Sequence, residues 1–234
     1  ILARMGKKVL RPGGKDLTLK LMGSLCITQQ DDVVEFAPGL GFTASLALKG
    51  KPKSYLGIDT DEDVVKLLHR KIKGHNICFI QGNAANTNLP DESKDKVFGE
   101  AMLTMQADHR KVEIIREAHR ILKRGGLYAI HELGLFPGDI SEQKKASIQR
   151  DLALSIKVNA RPLTEHEWTE LLEKEGFGIV NTEINPMCLL EPARMIDDEG
   201  LFGTLKIGFN ILVTSQARKR IVQMRSTFKK HRMH

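Results

Sequence analysis

Cysteine is scarce in this chain. The three present, Cys26, Cys78 and Cys188, lie far apart and form no CxxC pair. That spacing excludes a disulfide framework and a zinc ribbon, and favours a reducing compartment. Aromatic residues are only 5% of the sequence, with a single Trp. The basic clusters hold too few of them to suggest stacking on nucleic-acid bases. No apolar run approaches the length of a bilayer span. The opening "ILARMGKK" lacks a charged region followed by an apolar one, so no signal peptide is expected, and the expected location is cytoplasmic. "HEWTE" at His166 lacks the second His of HExxH, and no metal is expected.

What is present describes one soluble globular domain: 234 residues, 41% hydrophobic and 28% charged. The net charge of +7 is unevenly placed. Residues 218–234, "RKRIVQMRSTFKKHRMH", hold seven Lys or Arg and no acid, and residues 1–20 hold six basic residues against one Asp. Two readings stand side by side, solvated basic ends or contacts with phosphate or another anionic surface.

Apolar patterning alternates strand and helix. "DDVVEF", "SYLGID", "ICFIQGNA", "DKVFGEAML" and "LYAIHEL" read as buried strands, separated by helical stretches. Among these, "TDEDVVKLLHRKIK" is expected to be capped by Thr60 or Asp61. "HRKVEIIREAHRIL" presents Val112, Ile115, His119 and Leu122 as a stripe, with His119 expected in the core. The alternation predicts a doubly wound parallel sheet. After Leu135 the rhythm breaks. Residues 136–163 read as a lid insertion with one helix, and "LTEHEWTELLEKEGF" as a helix capped by Thr164. "GIVNTEI" and "LKIGFNILV" read as two late strands around an irregular loop, 185–204.

The run "VVEFAPGLGFTASLAL" is strand, glycine turn and helix. Gly39-Leu-Gly41-Phe-Thr-Ala44 satisfies G-x-G-x-x-G/A, and Asp59 follows Gly39 by 20 residues, where a ribose-binding acid belongs. These features suit a dinucleotide and S-adenosylmethionine (SAM) equally. Glu35 separates them: a carboxylate just before the turn repels a pyrophosphate and suits the ammonium of a methionine moiety. Asn83-Ala84 at the end of the third strand, and the absence of a second mononucleotide-binding half, also favour SAM.

With these landmarks in order over about residues 9–214, the sequence resembles the class I SAM-dependent methyltransferases, broadly those of the ubiquinone/menaquinone-biosynthesis type. The resemblance rests on "VVEFAPGLGFTA", "YLGIDTDEDVV", "GNAANTNLPDESKDKVFGEAML", "EIIREAHRILKRGGLYAIHEL" and "LTEHEWTELLEKEGF". It implies a single Rossmann-like α/β domain over 1–234 that includes an N-terminal segment at 1–30. Its mostly parallel sheet would have seven strands and an antiparallel last one. Glu35 would meet the SAM amino group, and the backbone of Ala37, Gly39 and Gly41 the methionine and ribose. Asp59, with Thr60 or Asp61, would take the ribose hydroxyls, Asn83 and Ala84 the adenine, and Glu100 the methionine end. "VLRPGGKDLT" resembles a Pro-Gly-Gly segment folded over the cofactor, making Thr18 a weaker candidate. Ala37 in place of Gly, Asn83 in place of Asp and "KRGG" in place of "KPGG" depart from the pattern.

Methyl transfer needs alignment of donor and acceptor more than a base. His131 and Glu132 at the end of the fifth strand, and His109 after the fourth, are placed to face an acceptor. The expected activity is methyl transfer to a small, partly apolar molecule. The alternatives are RNA methylation, a SAM-binding protein without catalysis, and an NAD-linked enzyme.

Overall fold

The computed structural model describes every residue except Ile1, Lys8 and residues 232–234, so the last part of the basic C-terminal run lies outside the described residues. Five parallel strands, β1 (Asp32–Phe36), β2 (Ser54–Asp59), β3 (Ile77–Gln81), β4 (Lys94–Glu100) and β5 (Leu122–His131), form one sheet in the order β3-β2-β1-β4-β5. Helices α1 (Gly14–Leu25), α2 (Phe42–Ala47), α3 (Glu62–Lys71) and α4 (Asp108–Ile121) surround it. Beyond the sheet come α5 (Glu142–Ile156), α6 (Glu165–Lys174), α7 (Pro192–Val213) and α8 (Ser215–Lys230). A small parallel pair joins β6 (Gly134–Leu135) to β7 (Leu163–Thr164).

Burial on both faces explains why β1 is a continuous apolar run rather than an alternating one. Val33 packs with Tyr55, Phe79 and Phe98 under α1, α2 and α3. Val34 and Phe36 pack with Ile58, Val97 and the α4 residues Ile114, Ile115 and Ala118, joined by Trp168 of α6. Local signals fix the helix starts. Asp61 caps α3 by accepting from the N–H groups of Asp63 and Val64. Thr164 and Glu167 form a reciprocal capping box on α6. The chain leaves β1 in one direction and β4 in the other, so a crevice opens at the carboxyl ends of these two strands.

Four expectations are corrected. Among the described residues the main sheet has five strands, not seven, and no antiparallel strand follows β5. Residues 178–184 belong to no strand and face β5 across a groove of about 930 Å³. Residues 205–213 belong to α7, which begins at Pro192 inside the expected loop. "LKIGFNILV" alternates apolar residues at 205, 207, 209, 211 and 213, but it continues a helix opened by a first-turn proline. A short apolar run of this kind fits either structure until its context decides. His119 is exposed rather than in the core. The buried face of α4 is Ile114, Ile115, Ala118 and Ile121, and His119 meets Phe177 edge-on at 5.1 Å.

Candidate cofactor and acceptor site

The turn after β1 holds three consecutive demands on the backbone. Ala37, Gly39 and Gly41 all have positive φ, at 52°, 53° and 74°. Gly41 also needs its bare Cα, because a Cβ there would lie 2.6 Å from Leu68. Ala37 occupies a left-handed position with a methyl group attached, so its substitution for Gly carries a backbone cost of about 1–2 kcal/mol. Asp59 reaches the turn from the end of β2 and accepts from the N–H of Gly39 at 3.3 Å and of Asp61 at 3.0 Å. Thr60 lies exposed beside it, its carbonyl accepting from Gln81.

Glu35 is buried at the end of β1 and accepts from the Tyr55 hydroxyl. Burial, reinforced by the charges of Glu100 and Asp59, pushes its carboxyl up to about 8 against the pull of Tyr55 and Arg11. Glu100, at the end of β4, is the centre of a buried polar cluster. It accepts from Thr18 at 2.7 Å and from Thr43, faces the Arg11 guanidinium at 3.0 Å, and meets His131 Nδ1 at 2.8 Å. Burial alone would raise the Glu100 carboxyl, but His131, Arg11 and Thr43 hold it below its ordinary value.

The N-terminal segment closes over this cluster. Arg11 lies across the Phe42 ring at 5.3 Å, and its buried Nη1 has no hydrogen-bond partner among the described residues. Gly13 donates its N–H to His131 Nε2 at 3.0 Å. Because Nε2 accepts there, Nδ1 carries the hydrogen donated to Glu100. A Cβ on Gly13 would lie 2.8 Å from His131 Nε2, so the close approach requires glycine. Asn185 of the late segment donates to the Gly13 carbonyl at 2.8 Å.

Glu132 points elsewhere. Both its oxygens are taken by the backbone N–H groups of Met102, Leu103 and Thr104 and by the Thr104 hydroxyl, at 2.7–2.9 Å. It staples the loop after β4. His109 is exposed on the first turn of α4. Ala84 is buried, while Asn83 is exposed and its Oδ1 accepts from Ala85 N and from Arg110, each at 3.0 Å. The structure thus brings together Glu35, Ala37, Gly39, Gly41, Asp59, Glu100, Thr18 and His131. Arg11, Thr43 and Tyr55 were not singled out in the sequence. A lone Arg before "PGG" was the one available signal for the first.

Beside Gly13 and Glu132 lies a cavity of about 660 Å³, walled by Leu135, Ile148 and Leu152 from 134–152, Trp168 from α6, and residues 179–187. Among the described residues, no group of three or more His, Cys, Asp or Glu is arranged to hold a metal ion, and no helix is long and apolar enough to cross a membrane.

A family profile described as "Methyltransferase domain" matches residues 34–130, from β1 to the end of β5. A Haemophilus influenzae protein described as uncharacterized is 35% identical over 239 residues, covering all of this chain and 93% of its own length. A Bacillus subtilis protein described as an uncharacterized methyltransferase is 31% identical, over 58% of this chain and 74% of its own. The chain belongs to the class I SAM-dependent methyltransferase family. Its fold is also that of Haemonchus contortus phospholethanolamine N-methyltransferase 2, solved in complex with phosphomonomethylethanolamine and S-adenosylhomocysteine. The TM-score is 0.69 at 17% identity, covering 95% of this chain and 52% of that one.

Proposed function

We propose that this protein transfers a methyl group from SAM to a small, largely apolar acceptor held in the 660 Å³ cavity. That cavity is the observation that carries the acceptor class: it is within the size of small-molecule sites and lined mainly by apolar side chains. A polynucleotide would call instead for a basic groove.

The polar cluster fits the cofactor's head group. A methionine moiety carries an ammonium and a carboxylate, and the crevice offers Glu35 and Glu100 for the first. Arg11 Nη1, buried and unpartnered, suits the second. Asp59 would accept from the ribose hydroxyls, and Asn83 with Ala84 would meet the adenine. SAM, when bound, supplies an electrophilic methyl group. His131 holds Gly13, and with it the Arg11–Gly13 segment, between cofactor crevice and acceptor cavity. Neither His131 nor Glu132 has a ring nitrogen or carboxylate oxygen left without a partner, so alignment rather than proton removal is the protein's contribution.

Incubation with methyl-labelled SAM tests this against a fractionated metabolite extract and against total RNA. Label is expected in an organic-extractable small molecule. Label in RNA would overturn the acceptor class, and SAM binding without transfer to either would overturn catalysis.

A further inference from the structure

The second half of α7 presents a bare apolar face. Gly200 interrupts the helix with φ 75° and ψ 167°. Beyond it, Leu201, Phe202, Leu205, Phe209, Leu212 and Val213 are 58–86% exposed. At about 100° per residue these six share an arc of roughly 120°, about 18 Å long. Ile207, on the opposite side, is buried and anchors the helix to α8 and the N-terminal segment. Contiguous exposed apolar surface of this kind marks a contact with something apolar.

Charge identifies that something. From Leu201 to His234 the sequence has eight Lys or Arg and no Asp or Glu. α8 follows α7 after Thr214 alone, and its Arg218, Lys219, Arg225 and Lys229 are exposed. Arg220 and Lys230, by contrast, are held by the Ile156 carbonyl and Asp151. We propose that the Leu201–Val213 face of α7 docks on an anionic lipid surface, the apolar stripe entering the headgroup boundary and the α8 cations meeting lipid phosphates. A second copy of this chain is the poorer occupant, because a symmetric pairing would bring two all-basic helices toward each other without an acidic partner. A polynucleotide is poorer too, since Lys206 is the only cation within the stripe's own segment.

Co-sedimentation tests this with vesicles of phosphatidylcholine alone and of phosphatidylcholine with about one third phosphatidylglycerol. The protein is expected to partition to the anionic vesicles at least tenfold more strongly. Replacing Phe202 and Phe209 together by Ser should remove at least tenfold of that partitioning. Changing Arg218, Lys219 and Arg225 to Gln should cost about fivefold for each cation removed. Because these residues are exposed, circular dichroism and thermal melting should match wild type, so a loss of binding is read as loss of contact. Equal partitioning to both vesicle types, or none, would overturn the proposal. So would a dimer in light scattering that F202S/F209S abolishes, or total RNA that binds as tightly as vesicles and is lost in the same variants.

Discussion

Replacing Glu35 by Gln probes the cofactor crevice at its most perturbed charge. Burial at the end of β1 pushes the carboxyl up to about 8, so at pH 7 roughly nine molecules in ten carry its proton. A ligand ammonium needs the carboxylate. Binding of S-adenosylhomocysteine at pH 7 should therefore release close to one proton, and its association constant should rise about tenfold per pH unit between 6 and 7.5. The ligand's amino group sits beside its own carboxylate, which keeps it charged over that window, so the slope belongs to Glu35. E35Q keeps the shape and the Tyr55 contact but cannot titrate. Its pH slope should vanish, and at pH 7.5 its affinity should fall about 10- to 100-fold, with the gap closing near pH 6. Calorimetry in two buffers of different ionisation enthalpy counts the proton directly. 5′-Methylthioadenosine, which lacks the amino-acid head, should bind both proteins alike. Stability supplies a separate check. Between pH 4.5 and 8 the folded state holds a proton that the unfolded chain has released, so Glu35's contribution declines as pH rises through that window. Above pH 8 E35Q should be the more stable protein, by up to about 5 kcal/mol. A flat pH profile in the wild type, or an unchanged slope in E35Q, would refute the reasoning.

Arg11→Gln should weaken S-adenosylhomocysteine binding by about tenfold or more and leave 5′-methylthioadenosine unaffected; tighter binding of both would mean that Arg11 obstructs the crevice. Ala37→Gly relieves a left-handed alanine at the cost of a more flexible unfolded chain, for a net gain of about 0.5–1 kcal/mol. Scanning calorimetry should show a Tm higher by roughly 1–4 °C, and a lower Tm would contradict the strain argument. Asp198→Ala leaves Lys7, wholly buried and 3.1 Å from Asp198, with Glu199 at 3.8 Å as its remaining acidic partner among the described residues. Urea unfolding should show a loss of about 3 kcal/mol, largely restored when Lys7 becomes Met; an unchanged midpoint would show that water reaches the ammonium.

The five strands were legible because each is a short apolar run closed by polar or glycine punctuation, and the caps, Thr164 and one of Thr60 or Asp61, because caps are local; the structure selects Asp61. Glu35, Gly39, Gly41 and Asp59 could be placed because a strand, a turn and the end of the next strand are fixed by spacing. The stretches that misled were those whose pattern fits two answers, as in residues 205–213, or whose helix phase is off by one position, as at His119. The Glu100 cluster was legible only in part. Arg11, Thr18 and Thr43 meet that carboxylate from 89, 82 and 57 residues away, and nothing in a local window reports such a meeting. Glu132 shows the reverse error: its position at a strand end was read correctly, but three backbone N–H groups of the neighbouring loop claim it.

The segment from Lys7 to Thr18 is fastened at both ends and in the middle. Asp198 holds Lys7 and the N–H of Lys15, Glu100 holds Arg11 and Thr18, and His131 holds Gly13. A cofactor entering or leaving the crevice must undo part of that fastening, which is a matter of time rather than of affinity. If the crevice holds the cofactor as proposed, turnover is expected to be paced by how often the strap lifts. Variants that loosen it from the α7 end should exchange cofactor faster without touching a residue of the crevice.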